Sequence, residues 1–144
     1  MKAANIYLNF SGNAEEAFNF YRGVFGGEFL GLIRFSEFAG GMPNLRAEEQ
    51  SLIAHVALRL GQSVLMASDT LESLGQSVTP GNNYFVAVDA ETGDEAERVF
   101  AALSEGGSIA MPIEKTEWAE KYGICTDRFG IQWMVGYTGS VQYG

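Results

Sequence analysis

Apolar and polar residues alternate along Asn5–Phe10, which is the two-residue period of a half-buried β-strand. From position 14 the apolar side chains recur every three or four residues instead, and this spacing predicts an amphipathic helix. The helical apolar positions are Ala14, Ala17, Phe18, Tyr21, Val24 and Phe25. Asn13 is the predicted N-cap, because its side-chain oxygen can accept a hydrogen bond from the first helical turn, and Gly26-Gly27 is predicted to end the helix.

The same succession of patterns returns in the second half of the chain. A predicted strand at Asn83–Val88 precedes a helix that ends at Gly106-Gly107 and has apolar positions at Ala96, Val99, Phe100 and Leu103. Three further strands follow each helix. They are Glu28–Ser36, Leu52–Leu60 and Ser63–Ser68, then Ser108–Glu114, Gly123–Asp127 and Gln132–Tyr137. The order βαβββ–βαβββ predicts an α+β fold, whose two modules can join into one curved sheet with a cleft for a ligand.

Two stretches follow neither period. Thr70–Gly81 is the predicted linker between the modules, and Phe35–Gln50 is a long loop that either covers a binding site or serves as a spacer. We therefore expect one domain over residues 1–144. Its first module covers about residues 1–70, its linker about 70–81 and its second module about 82–138.

Composition and charge exclude several classes of function. The formal net charge is −9 and the nine basic residues are scattered, so the surface is expected to repel nucleic acid and anionic membranes. No apolar run reaches the roughly 18 residues of a membrane span, and Met1 leads directly into the first strand without room for a targeting segment. The single cysteine, Cys125, fits a reducing compartment. We predict a cytoplasmic protein with no nucleic-acid or membrane partner.

Several segments together carry a family resemblance. They include Tyr7–Ala17, Phe25-Gly26-Gly27, Ile53-Ala54-His55, Leu65–Asp69, Trp118-Ala119 and Thr126–Trp133. The chain resembles the vicinal oxygen chelate superfamily of glyoxalases, bleomycin resistance proteins and dioxygenases, and within it the PhnB-like branch. The resemblance implies the glyoxalase-like fold of paired βαβββ modules around a cleft, and a homodimer. Because the superfamily includes lyases, dioxygenases, epimerases and non-enzymatic drug-binding proteins, the fold does not select one function.

The resemblance also places the superfamily's four metal-binding positions at Asn5 and Met66 in the first module and at Asn83 and Met134 in the second. Neutral amides are weak ligands and thioethers suit soft ions such as Cu(I), so we expect no divalent metal and no other cofactor. Some relatives are described as methyltransferases or DNA-binding proteins. Neither description is favoured here, because no glycine-rich nucleotide loop follows a strand and the net charge is unsuited to DNA.

Strand parity predicts which side chains face away from the helices and line the cleft. The predicted ligand-binding residues are Tyr7, Asn9, Met66, Ser68, Phe85, Gln132 and Met134, to which the resemblance adds Trp118 in a loop. His55 lies on the same face and is the candidate catalytic residue, because imidazole titrates near neutral pH; the alternative is a hydrogen-bonded structural histidine. By contrast, Trp133 and Cys125 are predicted core residues, and Asp69 and Asp127 are predicted to cap turns.

Two functions from different classes stay open. The first is metal-independent binding of a small hydrophobic or aromatic molecule by the apolar and aromatic lining. The second is an enzyme, such as a lyase, an isomerase or a dioxygenase-like protein, that acts on a small carbonyl or quinone-like substrate. In that case His55 would be the acid or base, with or without a metal.

Overall fold

Each half of the chain forms a four-stranded sheet with one helix packed on it, in a computed structural model that describes residues 1–38 and 44–141. The first unit, Met1–Thr79, contains β1 (Ile6–Phe10), α1 (Ala14–Phe25), β2 (Phe29–Arg34), β3 (Ile53–Leu60) and β4 (Ser63–Asp69). Its strand order is β1-β4-β3-β2, with β1 parallel to β4 and the other neighbours antiparallel. The first module therefore has the predicted βαβββ order.

The second unit, Pro80–Gly144, repeats this topology. It contains β5 (Val86–Asp89), α2 (Gly93–Ser104), β6 (Ser108–Glu114), β7 (Lys121–Thr126) and β8 (Gln132–Tyr137), in the sheet order β5-β8-β7-β6. The predicted α+β class with two βαβββ modules is confirmed. The largest error in the strand bounds is at β5, which begins at Val86 rather than Asn83. The division between the units falls inside the predicted linker, and the domain bounds themselves stay a prediction.

In the first unit the core lies between α1 and one face of the sheet. The buried side chains of α1 are Ala14, Ala17, Phe18, Tyr21 and Val24, and the helix packs mainly on β3. The strand register explains how the sheet supplies the other half of this core. Leu8 lies beside Ala67, which lies beside Val56, and all three side chains are buried. Since side chains alternate across a strand, their sequence neighbours lie on the opposite face.

The N-terminus of α1 is capped by a residue from a distant strand. Asn13 occupies the N-cap position, as predicted. Its side chain makes no capping hydrogen bond, so the predicted role of its side-chain oxygen was wrong. Instead, Asp69 Oδ1 accepts hydrogen bonds from the backbone N–H groups of Gly12 (3.0 Å) and Ala14 (2.9 Å). Asp69 Oδ2 accepts from the N–H of Ile53 (2.9 Å). One buried carboxylate therefore joins the end of β4 to the start of α1 and of β3.

A second buried carboxylate organises the second unit. Asp127 Oδ1 accepts from the N–H groups of Phe129 (2.8 Å) and Ile131 (3.1 Å), which closes the turn between β7 and β8. Asp127 Oδ2 accepts from the indole N–H of Trp133 at 2.9 Å. Trp133 and Cys125 are both fully buried, as predicted, and α2 packs on the strands β7 and β8 that carry them.

The helix α2 begins with a local cap that the sequence analysis did not identify. Thr92 Oγ1 accepts a hydrogen bond from the N–H of Glu95 at 3.0 Å, and Glu95 Oε1 accepts from the N–H of Glu91 at 2.8 Å. A threonine followed three residues later by a glutamate is the capping-box pattern. The cap also places the carboxylates of Asp94 and Glu95 in the first turn, where the helix dipole favours negative charge.

The predicted loop Phe35–Gln50 contains two short 3₁₀ turns, Phe35–Glu37 and Ala47–Glu49, and its residues 39–43 lie outside the described part of the chain. Glu49 is only 4% exposed and accepts hydrogen bonds from the N–H groups of Arg46 (3.0 Å) and Ser73 (3.2 Å). Hydrogen bonding by Ser73, and then by the N–H of Arg46, holds the pKa of Glu49 below its ordinary value. Glu49 thereby anchors the end of the loop to the turn Glu72–Leu74.

Replacing Gly23 with alanine is expected to stabilise the protein. Gly23 lies in the interior of α1, it is exposed, and an added Cβ would meet no atom within 4 Å. Alanine restricts the unfolded chain more than glycine does, so we expect the free energy of unfolding in urea to rise by about 0.5–1 kcal/mol. The control is Gly26→Ala at the helix C-cap, where φ is 79°. That variant should lose about 1 kcal/mol, and equal effects at both positions would contradict the argument.

Candidate functional site

The face of the first sheet that points away from α1 carries the predicted site residues of the first unit. Adjacent strands place Tyr7 beside Met66 and Met66 beside Ala57. Asn9 lies beside Ser68, and His55 lies beside Ile33. We call this surface the open face, and it consists of Tyr7, Asn9, Ile33, His55, Ala57, Met66 and Ser68. Tyr7 is 48% exposed and Ile33 is 40% exposed, while His55, Met66 and Ser68 are half-buried.

Two rings meet across the open face. The hydroxyl oxygen of Tyr7 on β1 lies 3.3 Å from Nδ1 of His55 on β3, a long hydrogen bond, and the ring centroids are 5.8 Å apart at 35°. Because β4 lies between these strands, both side chains reach over it. Among residues 1–38 and 44–141, neither ring has another hydrogen-bond partner, so Nε2 of His55 is left open to solvent or a ligand.

The residues at the superfamily's metal positions do not fit a divalent ion. The side-chain oxygen of Asn5 already accepts a hydrogen bond from the N–H of Val64 at 3.0 Å, and Met66 offers only a thioether. In the second unit the corresponding residues are Asn83 and Met134, again an amide and a thioether. Within the described ranges, no three His, Cys, Asp or Glu side chains cluster as metal ligands would. Hard divalent cations prefer anionic oxygen or imidazole nitrogen, so this donor set suits none of them.

The second unit has an apolar face of its own. Ala87 lies beside Met134, and Met134 lies beside Ile124 on the next strand. Phe85, which precedes β5, is 41% exposed. Trp118 is also 41% exposed and packs edge-on against Tyr122, with ring centroids 5.2 Å apart and planes at 83°. Trp118 therefore does not fill the core of its unit.

Gln132 has local hydrogen bonds that the sequence analysis did not anticipate. Its Nε2 donates to the carbonyl oxygen of Gly81 at 3.0 Å, and its backbone N–H donates to the Tyr84 hydroxyl at 3.3 Å. It lines a shallow open groove of about 540 Å³ with Pro80, Gly81, Asn82, Thr126 and Gly130. In this position its side chain joins the start of β8 to the segment that precedes β5.

The structure thus brings five of the predicted site residues together in the first unit: Tyr7, Asn9, His55, Met66 and Ser68. Phe85, Trp118, Gln132 and Met134 belong to the second unit. Their roles in binding or catalysis stay a prediction. Ile33 and Tyr122 were not predicted as neighbours of the site residues. Ile33 lies beside His55 only through the strand register, and Tyr122 meets the Trp118 ring only in the folded chain.

Two other groups with possible chemistry are engaged or inert. Both guanidinium nitrogens Nη1 and Nη2 of Arg34 donate to the Glu15 carboxylate, at 3.0 and 2.7 Å, which lowers the pKa of Glu15 and raises that of Arg34. Arg34 therefore serves as a bridge between β2 and α1. Burial raises the pKa of the Cys125 thiol, so this cysteine is a poor nucleophile.

Comparison with known proteins gives consistent results. The sequence model of the family described as 3-demethylubiquinone-9 3-methyltransferase matches residues 2–136. Protein YjdN of Escherichia coli K12 is 32% identical over 136 residues, which is 90% of each chain. The crystal structure of protein PA1353 from Pseudomonas aeruginosa is similar with a TM-score of 0.80 and 36% identity, covering 94% of this chain and 98% of that one.

More distant structures extend the similarity. The PhnB protein of Bacillus cereus matches with a TM-score of 0.74 and 26% identity, covering 94% of this chain and 99% of its own. A glyoxalase/bleomycin resistance protein/dioxygenase family enzyme from Burkholderia phytofirmans has a TM-score of 0.59 at 15% identity, over 94% and 99% of the two chains. At that identity the likeness shows a shared fold alone. Separately, no helix in the described part of the chain is long and apolar enough to cross a membrane.

Proposed function

The chain belongs to the family described as 3-demethylubiquinone-9 3-methyltransferase, the PhnB-like branch of the glyoxalase, bleomycin resistance and dioxygenase superfamily, and for this member we propose a binding function. The protein binds a small hydrophobic or aromatic molecule on the open face of the first sheet, and it does so without a divalent metal. The observation that carries this proposal is the composition of that face. Apolar Met66, Ala57 and Ile33 adjoin a single imidazole whose Nε2 is open.

This combination suits a flat ligand with a few hydrogen-bonding atoms. Small-molecule sites are mostly apolar and contain few polar groups, which fix the orientation of the ligand. Met66 at the centre of the face is unbranched and adaptable, so it can pack against ligands of different shape. The donor set at the superfamily's metal positions, with the Asn5 oxygen already bonded to the Val64 N–H, supports the metal-independent form of the proposal.

Methyl transfer is not part of the proposal. Nucleotide-binding folds use free N–H groups at a helix N-terminus to hold anionic groups of the cofactor. At the start of α1 the N–H groups of Gly12 and Ala14 already donate to Asp69. The turn before α1 therefore does not offer these N–H groups to a nucleotide cofactor of the kind that the family's descriptive name suggests.

The proposal predicts a retained organic ligand and no stoichiometric metal. Protein purified without chelator and examined by native mass spectrometry is expected to carry an organic mass that is lost on denaturation. Replacing Met66 with glutamine puts a polar amide at the centre of the open face, so we expect the affinity for the ligand to fall about tenfold, which corresponds to about 1.4 kcal/mol, and the occupancy to fall with it.

The matched control is Ala101→Gln on the exposed side of α2, which is expected to leave occupancy unchanged. One divalent ion per chain, measured by elemental analysis of the same sample, would contradict the metal-independent form. Equal occupancy in the Met66→Gln and wild-type proteins would place the ligand away from the open face.

The enzymatic alternative uses His55 as acid or base on a small carbonyl or quinone-like substrate. The contact between Tyr7 and His55 bears on it directly, because only Nε2 of His55 is left to face a substrate. A base needs an unprotonated nitrogen there, whereas an acid or a hydrogen-bond donor needs a protonated one. The protonation state of Nε2 therefore decides between these roles.

We also propose that the protein works as a homodimer in the cytoplasm. The resemblance to the PhnB-like branch implies a dimer. Exposed apolar side chains such as Leu30 and Ile109 are compatible with burial against another chain. The lone buried Cys125 supports a reducing compartment.

A further inference from the structure

A hydrogen bond joins the Tyr7 hydroxyl to one of the two imidazole nitrogens of His55. A neutral imidazole has one N–H donor and one acceptor nitrogen. Nδ1 is the atom that faces the Tyr7 hydroxyl, at 3.3 Å. A phenol is a stronger hydrogen-bond donor than a neutral imidazole N–H, and an unprotonated imidazole nitrogen is a stronger acceptor than a phenol oxygen. Tyr7 therefore donates to Nδ1, and the proton of neutral His55 lies on Nε2.

We infer that Tyr7 is a positioning residue that holds His55 in the Nε2–H tautomer, and that the open face thereby selects flat apolar ligands that carry a carbonyl oxygen. The inference rests on the proposed function, because it names the chemistry of the ligand for the same site. Nε2–H has no acceptor among residues 1–38 and 44–141. A ligand that covers His55 must supply one, since a buried N–H without an acceptor is costly.

The surroundings of His55 explain why the acceptor belongs to an apolar molecule. Ile33 lies beside His55 on β2, and Ala57 and Met66 form the next row of the sheet. Ile33 and Met66 offer contact area but no hydrogen bonds, whereas Ala57 is only 6% exposed. The polar groups Asn9 and Ser68 lie beside each other on the neighbouring strands. A carbonyl group attached to a flat body can therefore reach Nε2–H while its body covers Met66.

The same tautomer limits what His55 can do chemically. With its proton on Nε2 and its lone pair on Nδ1 directed to Tyr7, the neutral imidazole presents no base to a ligand. It can polarise a carbonyl by donating a hydrogen bond, without any change in its own protonation. The structure thus favours recognition of a carbonyl oxygen over removal of a proton by Nε2.

The tautomer can be measured directly, because His55 is the only histidine of the chain. In uniformly ¹⁵N-labelled protein at about pH 8.5, a two-bond ¹H–¹⁵N spectrum shows one imidazole. We expect a pyrrole-type shift for Nε2 and a pyridine-type shift for Nδ1. In Tyr7→Phe the two shifts should move toward each other as the second tautomer gains population. A proton on Nδ1, or identical shifts in both proteins, would overturn the role of Tyr7.

Ligand selection is tested with two probes of matched shape. 2-Acetylnaphthalene carries a carbonyl oxygen, and 2-isopropenylnaphthalene has a methylene group in its place. Titration followed by the backbone amide signals of the open face, which are present in every variant, should show about tenfold tighter binding of the ketone to the wild-type protein. His55→Gln, whose amide nitrogen replaces Nε2, should keep this preference. His55→Asn, whose amide nitrogen replaces Nδ1, should lose it.

The outcomes separate this inference from the proposed function. Equal binding of the two probes would overturn the selection for a carbonyl and leave apolar binding on the open face intact. Failure of both probes to bind would overturn the proposed function and the ligand selection together. The ¹⁵N shifts of the free protein would still confirm or refute the Tyr7–His55 tautomer in that case.

Discussion

Replacing Asp69 with alanine is expected to lower the free energy of unfolding by about 3 kcal/mol. Asp69 is 4% exposed and accepts hydrogen bonds from the N–H groups of Gly12, Ala14 and Ile53. Alanine leaves these donors without their acceptor, and a buried donor without a partner costs about 1–3 kcal/mol. Water that enters the space can bond to some of the donors and so recover part of this cost. Urea unfolding followed by circular dichroism measures the loss.

Two control variants distinguish the lost acceptor from a general effect of removing charge. Asp69→Asn retains one carbonyl oxygen and should lose about half as much. Asp89→Ala removes an exposed carboxylate at the end of β5 and should change stability by less than about 0.5 kcal/mol. Hydrogen exchange adds a local test, because the amides of Ala14 and Ile53 should exchange faster in Asp69→Ala. Stability equal to that of the wild-type protein would refute the bridging role.

The second large effect is expected at Asp127. This carboxylate is 3% exposed and accepts from the N–H groups of Phe129 and Ile131 and from the indole N–H of Trp133. Asp127→Ala opens the turn between β7 and β8 and leaves the indole of a fully buried tryptophan without its acceptor. We expect a loss of about 3 kcal/mol in urea unfolding.

A double-mutant cycle isolates the contribution of the indole. Trp133→Phe alone removes the indole N–H and part of a buried ring, with an expected cost of about 1–2 kcal/mol. The double variant with Asp127→Ala has no indole N–H that could be left without an acceptor. The total loss of stability should therefore fall about 1 kcal/mol short of the sum of the two single losses. Strict additivity would show that the 2.9 Å contact between Trp133 and Asp127 contributes nothing.

These two carboxylates show how far local sequence patterns can predict structure. Local sequence patterns predict that both residues cap turns at strand ends. Such local patterns could not identify what Asp69 caps, because Ala14 at the start of α1 and Asp69 are 55 residues apart in the sequence. The nearer candidate, Asn13, has the right residue type and position, yet its side chain makes no capping hydrogen bond. Local propensity selected a plausible cap, and the packing of β4 beside β1 supplied a different one.

In the candidate site, too, local sequence patterns predict the face on which a residue lies but not the residue that it contacts. Strand parity placed Tyr7, His55 and Met66 on the face opposite the helix, and the structure agrees for each strand. Parity alone does not say which strand is adjacent to which. The contact between the Tyr7 hydroxyl and Nδ1 of His55 depends on β4 lying between β1 and β3. No pattern of sequence spacing relates residues 7 and 55, so their pairing was not predicted.

The sequence by itself determined the elements of this protein: two βαβββ modules, their buried helix faces, a core containing Trp133 and Cys125, and membership of the PhnB-like family. The elements and the core follow from periodicity and from residues that act within a few positions of each other. The family follows from the similarity of whole segments to known relatives. Only the tertiary structure decided which nitrogen of His55 is open, that Asp69 caps α1, and that Asn5 is bonded to Val64. Such contacts join distant residues, and they depend on strand order and register, which hydrophobic periodicity does not specify.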